Sequence, residues 1–204
     1  MSHYTVLSAV NTVLRDILWE AFQVDGTITQ FVSNKNEIGF MNPTQTAILG
    51  AHQLSLWLYQ IAENEYLRNE SPIRTGTNGE QFPPLALNLF FLVTPFAGNN
   101  TPGTELNNYL LLGKTMQVLY DNAILLMRGS NPPLAEELRI LLARVSLEEL
   151  TRVWDALREP YRLSVCYEIR VTRVDSQRIP QRARVVEIDN LAAPVEAPAA
   201  EASL

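Results

Sequence analysis

The sequence predicts an α+β fold in which a mostly antiparallel β-sheet is flanked by helices. Residues 161–172 alternate apolar with polar side chains, and residues 85–94 divide into two alternating faces of which one is wholly apolar. Residues 3–22 instead repeat their apolar side chains every three or four positions, which is the period of an amphipathic helix. Helical and extended segments follow one another in an order that favours helices packed over one sheet.

The first part of the chain is predicted to hold one helix and one strand. The helix of residues 3–22 must bury one face. That face consists of Val6, Val10, Val13, Leu14, Ile17 and Ala21. Residues 26–43 are predicted to form short extended segments on either side of a polar turn. A strand rich in β-formers begins at Gln53 and ends near residues 62–64, and a glycine-containing loop follows at residues 71–81.

The apolar segment of residues 85–96 is predicted to be a strand and not a membrane span. A span needs about 20 apolar residues, whereas this segment contains Asn88 and Thr94 and has prolines at both edges. Prolines fit the ends of a strand because they cannot donate to an interior ladder. We expect one face to be covered and the other to be partly covered. The covered face consists of Leu85, Leu87, Leu89, Phe91 and Val93.

Two helices and a strand are predicted next. A helix follows Thr104, which is its expected N-cap. Its buried positions are expected to include Leu106, Leu110, Met116 and Leu119. Residues 137–145 form a strand. Ser146 and Glu149 then match a capping box that opens the helix of residues 147–157.

The last predicted strand, residues 161–175, has the clearest alternation in the chain. Its apolar face consists of Tyr161, Leu163, Val165, Tyr167, Ile169 and Val171. Its other face consists of Arg162, Ser164, Cys166, Glu168, Arg170 and Thr172. Because most of this second set is polar, we expect that face of the strand to be in contact with water.

Composition limits the classes of function. The chain has 204 residues, is 47% hydrophobic and carries a net charge of −6, which argues against a nucleic-acid coat and against binding to anionic membranes. One cysteine excludes an intrachain disulfide, and the N-terminus lacks the pattern of a signal peptide, so we expect synthesis in the cytoplasm. We expect one domain over residues 1–190 and a flexible tail rich in Ala, Pro and Glu over residues 191–204.

The residue types that carry catalysis or bind metal form no set in this sequence. Residues 113–115 imitate the end of a phosphate-binding loop, but Asn108 occupies the position of the required earlier glycine, and the segment lies in a predicted helix. The two histidines, His3 and His52, form no zinc-binding spacing with the single cysteine. Cys166 has no histidine beside it in sequence, which favours a packed thiol over a nucleophile. We expect no cofactor.

The acidic and aromatic residues of the second half are also interpreted structurally. Trp154 is expected to anchor a short helix to the sheet, while Asp155 faces solvent. The carboxylate pairs at residues 136–137 and 148–149 are expected to be solvated charges at helix starts.

Positive charge is concentrated near the C-terminal end of the predicted domain. Residues 161–184 carry six arginines against two acidic residues, a local charge of +4 in a chain whose other residues sum to −10. The arginines are Arg162, Arg170, Arg173, Arg178, Arg182 and Arg184. They either form a solvated face or bind acidic groups of a partner, for which the planar guanidinium is well suited. We therefore treat them as candidate partner contacts.

Three segments resemble a known family. They are PPLALNLFFLVTPFAG from residue 83, ELNNYLLLGKTMQVLYDNAIL from residue 105 and SLEELTRVWDALREPYRLSVCYEIRV from residue 146. Together they are similar to the N-terminal domain of the tail-terminator, or cap, proteins of extracellular contractile injection systems, which are phage-tail-like particles with a tube, a contractile sheath and a baseplate. The resemblance covers most of the chain and is carried by packing motifs.

The resemblance implies a structural protein and not an enzyme. It implies a sheet with flanking helices, as in phage tail terminators, and a hexameric ring that closes the baseplate-distal end of the tube and sheath. It also implies assembly in the cytoplasm into a particle that can be released, with sheath and tube proteins as partners and without nucleic-acid binding or membrane insertion. A different class, a non-enzymatic adaptor that binds peptide or cargo in the same particle, stays open because fold does not determine function.

Overall fold

The computed structural model describes residues 4–68, 73–75, 79–97, 105–128 and 135–174. The α-helices are α1 (Val6–Gln23), α2 (Pro43–Leu49), α3 (Glu105–Asp121) and α4 (Leu147–Leu157). The strands are β1 (Ile38–Gly39), β2 (Leu54–Glu63), β3 (Ile73–Thr75), β4 (Gly79–Gln81), β5 (Leu85–Pro95), β6 (Ile124–Arg128), β7 (Ala135–Leu142) and β8 (Val165–Val174). None of the helices in this described part is long and apolar enough to cross a membrane.

Six strands form one sheet in the order β1-β2-β5-β8-β7-β6, and β3 pairs with β4 in a separate hairpin. Every strand pair of the six-stranded sheet is antiparallel except β1 with β2. The predicted α+β class with a mostly antiparallel sheet and flanking helices is therefore confirmed.

The first face of the sheet is covered by α1 and α3 and holds the main core. The amphipathic pattern of α1 is confirmed, and its buried residues recur every fourth position. They are Val6, Val10, Leu14, Leu18 and Phe22. The sheet contributes side chains that include Leu56, Leu89, Phe91, Val93, Tyr167 and Ile169. As predicted for β5, its apolar face packs into this core, although Leu85 at the strand's start is exposed.

The second face of the sheet is partly covered by α4. This helix begins at a confirmed capping box, in which the Ser146 hydroxyl accepts a hydrogen bond from the Glu149 backbone and the Glu149 carboxylate accepts one from the Ser146 backbone. Its buried side packs Leu150 and Trp154 against Leu92 and Cys166. A second, smaller core therefore lies on this face.

The prediction that the second face of the last strand is in contact with water holds at Arg170, which is exposed, and is wrong for Ser164, Cys166, Glu168 and Thr172, which are buried. Ser164 and Cys166 are buried beneath α4, because an amphipathic helix covers whichever part of a sheet its apolar side meets. Thr172 is buried for another reason: Leu89 pairs with Ile169 but Leu87 pairs with Thr172, so β8 contains one extra residue and its alternation reverses. The strand also begins four residues later than predicted.

Several short elements differ from the prediction. Residues 26–43 form two 3-10 turns, the two-residue strand β1 and the start of α2, a helix that Asn42 caps by accepting a hydrogen bond from the backbone of Gln45. The loop predicted at residues 71–81 contains the β3–β4 hairpin, and β6 was not predicted. Residues 136–137 lie in β7 and not at a helix start.

The buried side of α3 also differs from the prediction. Leu106 and Leu110 are exposed, whereas Leu119 is buried as expected and Met116 is partly buried. The residues that face the core are Leu111, Leu112, Thr115, Val118 and Leu119. Because this helix is apolar on both sides, its spacing does not select one side. The expected N-cap, Thr104, lies outside the described residues.

Candidate interaction surface

A line of polar side chains crosses the second face of the sheet. Asn64, just after β2, donates from Nδ2 to Oδ1 of Asn88 over 3.0 Å, and Asn88 donates to Oε1 of Glu168 over 3.0 Å. Arg170 donates to Oε2 of Glu168 over 2.7 Å. Both Asn64 and Glu168 are buried. The buried carboxylate is thus paired with a guanidinium, and the hydrogen bond to Glu168 raises the pKa of Arg170 above its usual value.

Beside this polar line, the second face opens into a cleft of about 730 Å³. Its walls come from α4, from β2, β5 and β8, and from β7 with the residues that follow it. The cleft has apolar walls that include Phe90, Leu141 and Val153. Three arginines and two glutamates also line it, namely Arg144, Arg152, Arg170, Glu149 and Glu168. This combination of apolar walls and a few charges is typical of a binding surface.

The two glutamates of the cleft are already engaged. Glu149 accepts hydrogen bonds from the backbone and the hydroxyl of Ser146, and these bonds, the backbone one most, hold its pKa below the usual value. Glu168 accepts hydrogen bonds from Asn88 and Arg170. Arg144, in contrast, forms no ion pair with any described residue. The cleft therefore presents a small excess of positive charge to a partner.

The packed thiol predicted for Cys166 is confirmed. Its side chain is 4% exposed, and burial raises its pKa, so the reactive thiolate is disfavoured. Burial also raises the pKa of Tyr59 above its usual value. Tyr59 is the extra residue of a bulge in β2, because Leu58 pairs with Phe91 while Gln60 pairs with Phe90.

The other residues weighed for chemistry take structural positions. Trp154 is buried and donates from Nε1 to the Ser164 hydroxyl over 3.2 Å, while Asp155 is exposed, as predicted for both. Residues 113–115 lie within α3, as expected. The ring nitrogen Nδ1 of His52 lies 2.7 Å from the backbone oxygen of Asn36.

Three of the candidate arginines lie in the described residues, and the structure does not gather these three into one cluster. Arg162 lies before β8, with its guanidinium 5.7 Å from the centre of the Phe96 ring. Arg170 is held by Glu168 in the middle of the strand, and Arg173 is exposed near its end. From the first residue of β8 to Arg173 the strand extends about 26 Å, at about 3.3 Å per residue. Arg178, Arg182 and Arg184 lie outside the described residues.

The surface that sequence reasoning missed is the outer side of α3. Its exposed apolar residues are Leu106, Tyr109, Leu110 and Tyr120. Two of them, Leu106 and Leu110, were expected in the core. The sequence did contain a clue to this surface: α3 has apolar residues on both sides, and one core can bury only one side of a helix.

Comparisons with known proteins give a matching family model and similar solved structures. A family model for the Pvc16 N-terminal domain matches residues 9–188. Among solved structures, the sheath/tube terminator of the extracellular contractile injection system PVC, in its extended state, is similar over 89% of this chain with a TM-score of 0.51 and 20% identity. The tube-terminating cap of the anti-feeding prophage matches 66% of this chain and 47% of its own, with a TM-score of 0.43 and 18% identity.

This chain spans 62% of the length of the PVC terminator, and at 20% identity that likeness shows a common fold. Among curated proteins, none matches the chain. The family predicted from the packing motifs is confirmed, since the family model includes every one of the three segments that carried the resemblance. With residues 9–188 matched, the chain belongs to the Pvc16 N-terminal domain family.

Proposed function

We propose that this chain is a structural cap that ends the polymerisation of tube and sheath in a contractile injection system. The observation that carries the proposal is family membership over residues 9–188, together with a fold shared with the PVC sheath/tube terminator. A stacked polymer exposes a new end with every layer. A cap ends growth by binding that end while presenting no surface for the next layer, so the role requires binding and no catalytic step.

We further propose that the cap is a closed ring, most simply of six copies, at the baseplate-distal end of the particle. Cyclic closure satisfies the interface of every subunit at once. The described residues include a basic cleft with apolar walls and an exposed apolar helix face, which are features of a protein that works in an assembly.

Deletion of the gene in cells that produce the particle is expected to yield tails of uncontrolled length. Expression of the full chain should restore a uniform length, measured on electron micrographs. A chain that ends at Asn190 should restore it equally, because residues 191–204 have little to bury and the family match ends at residue 188. Normal tail lengths in the deletion strain would contradict the cap, and normal tails that lack cargo would favour the adaptor.

Among the candidate arginines, we propose Arg173 for contact with acidic groups of the terminal sheath or tube layer. It is exposed and forms no ion pair with a described residue, whereas Arg170 is bound to Glu168. The change Arg173→Glu should reduce cap occupancy on isolated particles by more than about tenfold, because breaking a paired interfacial charge typically costs about 2–5 kcal/mol.

The matched control is Arg158→Glu, which makes the same change in net charge at an exposed position at the end of α4. Circular dichroism should show both variants folded. The Arg173→Glu protein that still binds the particles should respond to added salt differently from the unchanged protein, because the change alters a charged contact. Equal occupancy of the two variants would remove Arg173 from the docking surface.

A further inference from the structure

The outer side of α3 presents exposed apolar side chains, interrupted by the exposed Gln117, that no described residue covers. Leu106 and Leu110 are 69% and 49% exposed, and Tyr109 and Tyr120 are 56% and 81% exposed. These four residues follow helical spacing, on the side opposite to the one that packs into the main core. Tyrosines on a surface that also presents leucines are typical of protein–protein contacts.

Gly113 lies in the middle of this face, and the described part of the chain gives no structural reason for glycine there. It is exposed, and a Cβ atom added there would meet nothing within 4 Å. Alanine is more favourable than glycine inside a helix, so the chain forgoes helix stability at this position. What glycine permits is the close approach of another backbone.

The charges of this face and of the α4 cleft are complementary. Glu105 and Asp121 are exposed at the two ends of α3, while Lys114 is paired with Asp25 over 3.3 Å. The helix face is therefore apolar and acidic. The cleft is apolar and carries three arginines against two engaged glutamates, with Arg144 unpaired among the described residues.

These two surfaces cannot meet within one chain, because α3 packs on the first face of the sheet and the cleft lies on the second. We propose that the outer face of α3 of one copy docks into the α4 cleft of the next copy. Such a contact joins different patches on the two partners and repeats from copy to copy until the rotation closes. This inference rests on the proposed function, which includes a closed ring. It adds the two surfaces through which neighbouring copies would form that ring.

Cysteine cross-linking in producing cells tests this contact, since the tail end is present there. The variant with both Leu110→Cys and Leu141→Cys, treated with a short bis-maleimide, should give a ladder of covalent oligomers up to the size of the ring. Each single variant should give no ladder, and a mixture of the two single variants should stop at the dimer. The unchanged chain is the control, because its Cys166 is buried. A cross-linked dimer from Leu110→Cys alone, or no ladder from the double variant, would overturn the proposal.

Two substitutions at Gly113 separate folding from assembly. Gly113→Ala should raise the melting temperature by about 2–4 °C, because it restores helix propensity in open space. Gly113→Trp should still fold, as judged by circular dichroism, but should abolish the ladder of the double-cysteine variant. A ladder that survives Gly113→Trp would also overturn the proposal.

The outcomes distinguish the contact from the function. If deletion leaves tail lengths normal while the ladder forms, the cap function fails and the contact stands. If tail lengths depend on the chain but the double-cysteine variant gives no ladder, the contact fails and the cap function stands.

Discussion

Replacing Phe91 by alanine is expected to lower the free energy of unfolding by about 3–5 kcal/mol, the usual cost of removing a buried phenyl ring. Phe91 lies at the centre of β5 and is 1% exposed. Around it are Leu14 of α1, Leu56 of β2 and Tyr167 of β8, so the cavity would open between the sheet and its main helical layer. Urea denaturation followed by circular dichroism measures the loss.

The neighbouring residue provides a matched control. Phe90 is also a phenylalanine of β5, but it points to the second face, where it is partly buried at the cleft with its ring centre 6.4 Å from that of Tyr59. Phe90→Ala should lower the free energy of unfolding by less than half as much, because the ring of Phe90 is only partly buried and so less apolar surface returns to water. Equal losses in the two variants would mean that both faces of the sheet are equally covered.

Replacing Trp154 by alanine is the second change with a large expected effect, also about 3–5 kcal/mol. Trp154 is 1% exposed, and its ring centre lies 6.2 Å from that of Tyr161 in an edge-to-face arrangement. It is the largest buried side chain that holds α4 to the second face. Its loss should loosen α4, and because α4 forms a wall of the cleft, it should also weaken the proposed ring contact.

Ser164→Ala separates the hydrogen bond of Trp154 from its packing. It removes the hydroxyl that accepts from Nε1 and that itself donates to the backbone oxygen of Arg162 over 3.1 Å, so we expect a loss of about 1–2 kcal/mol in urea denaturation. Near-ultraviolet circular dichroism should retain the tryptophan signal in this variant. If Ser164→Ala costs as much as Trp154→Ala, the anchoring would depend on the hydrogen bond and not on the ring.

Much of the fold could be predicted because its causes are local. The alternation of β5, the period of α1 and the Ser146–Glu149 capping box each involve residues close in sequence, and each is confirmed. The family could be predicted for the same reason, since its packing motifs are continuous segments. The capping box depends on hydrogen bonds that span three residues, so no distant element is needed to specify it.

The candidate site, in contrast, depended on tertiary structure. One extra residue in β8 makes the side chain of Thr172 point toward the main core. The reason is that side chains of a strand alternate between its two faces, so a bulge exchanges the faces of every residue beyond it. The candidate arginines are concentrated in one stretch of sequence, but the three that lie in the described residues differ in setting: Arg162 precedes β8, Arg170 is bound to Glu168 and Arg173 is exposed near the end of the strand. Which side of α3 is buried was decided only by α1 and the sheet, because a helix that is apolar on both sides has no internal preference. The side left exposed is the one that we propose for contact with a partner.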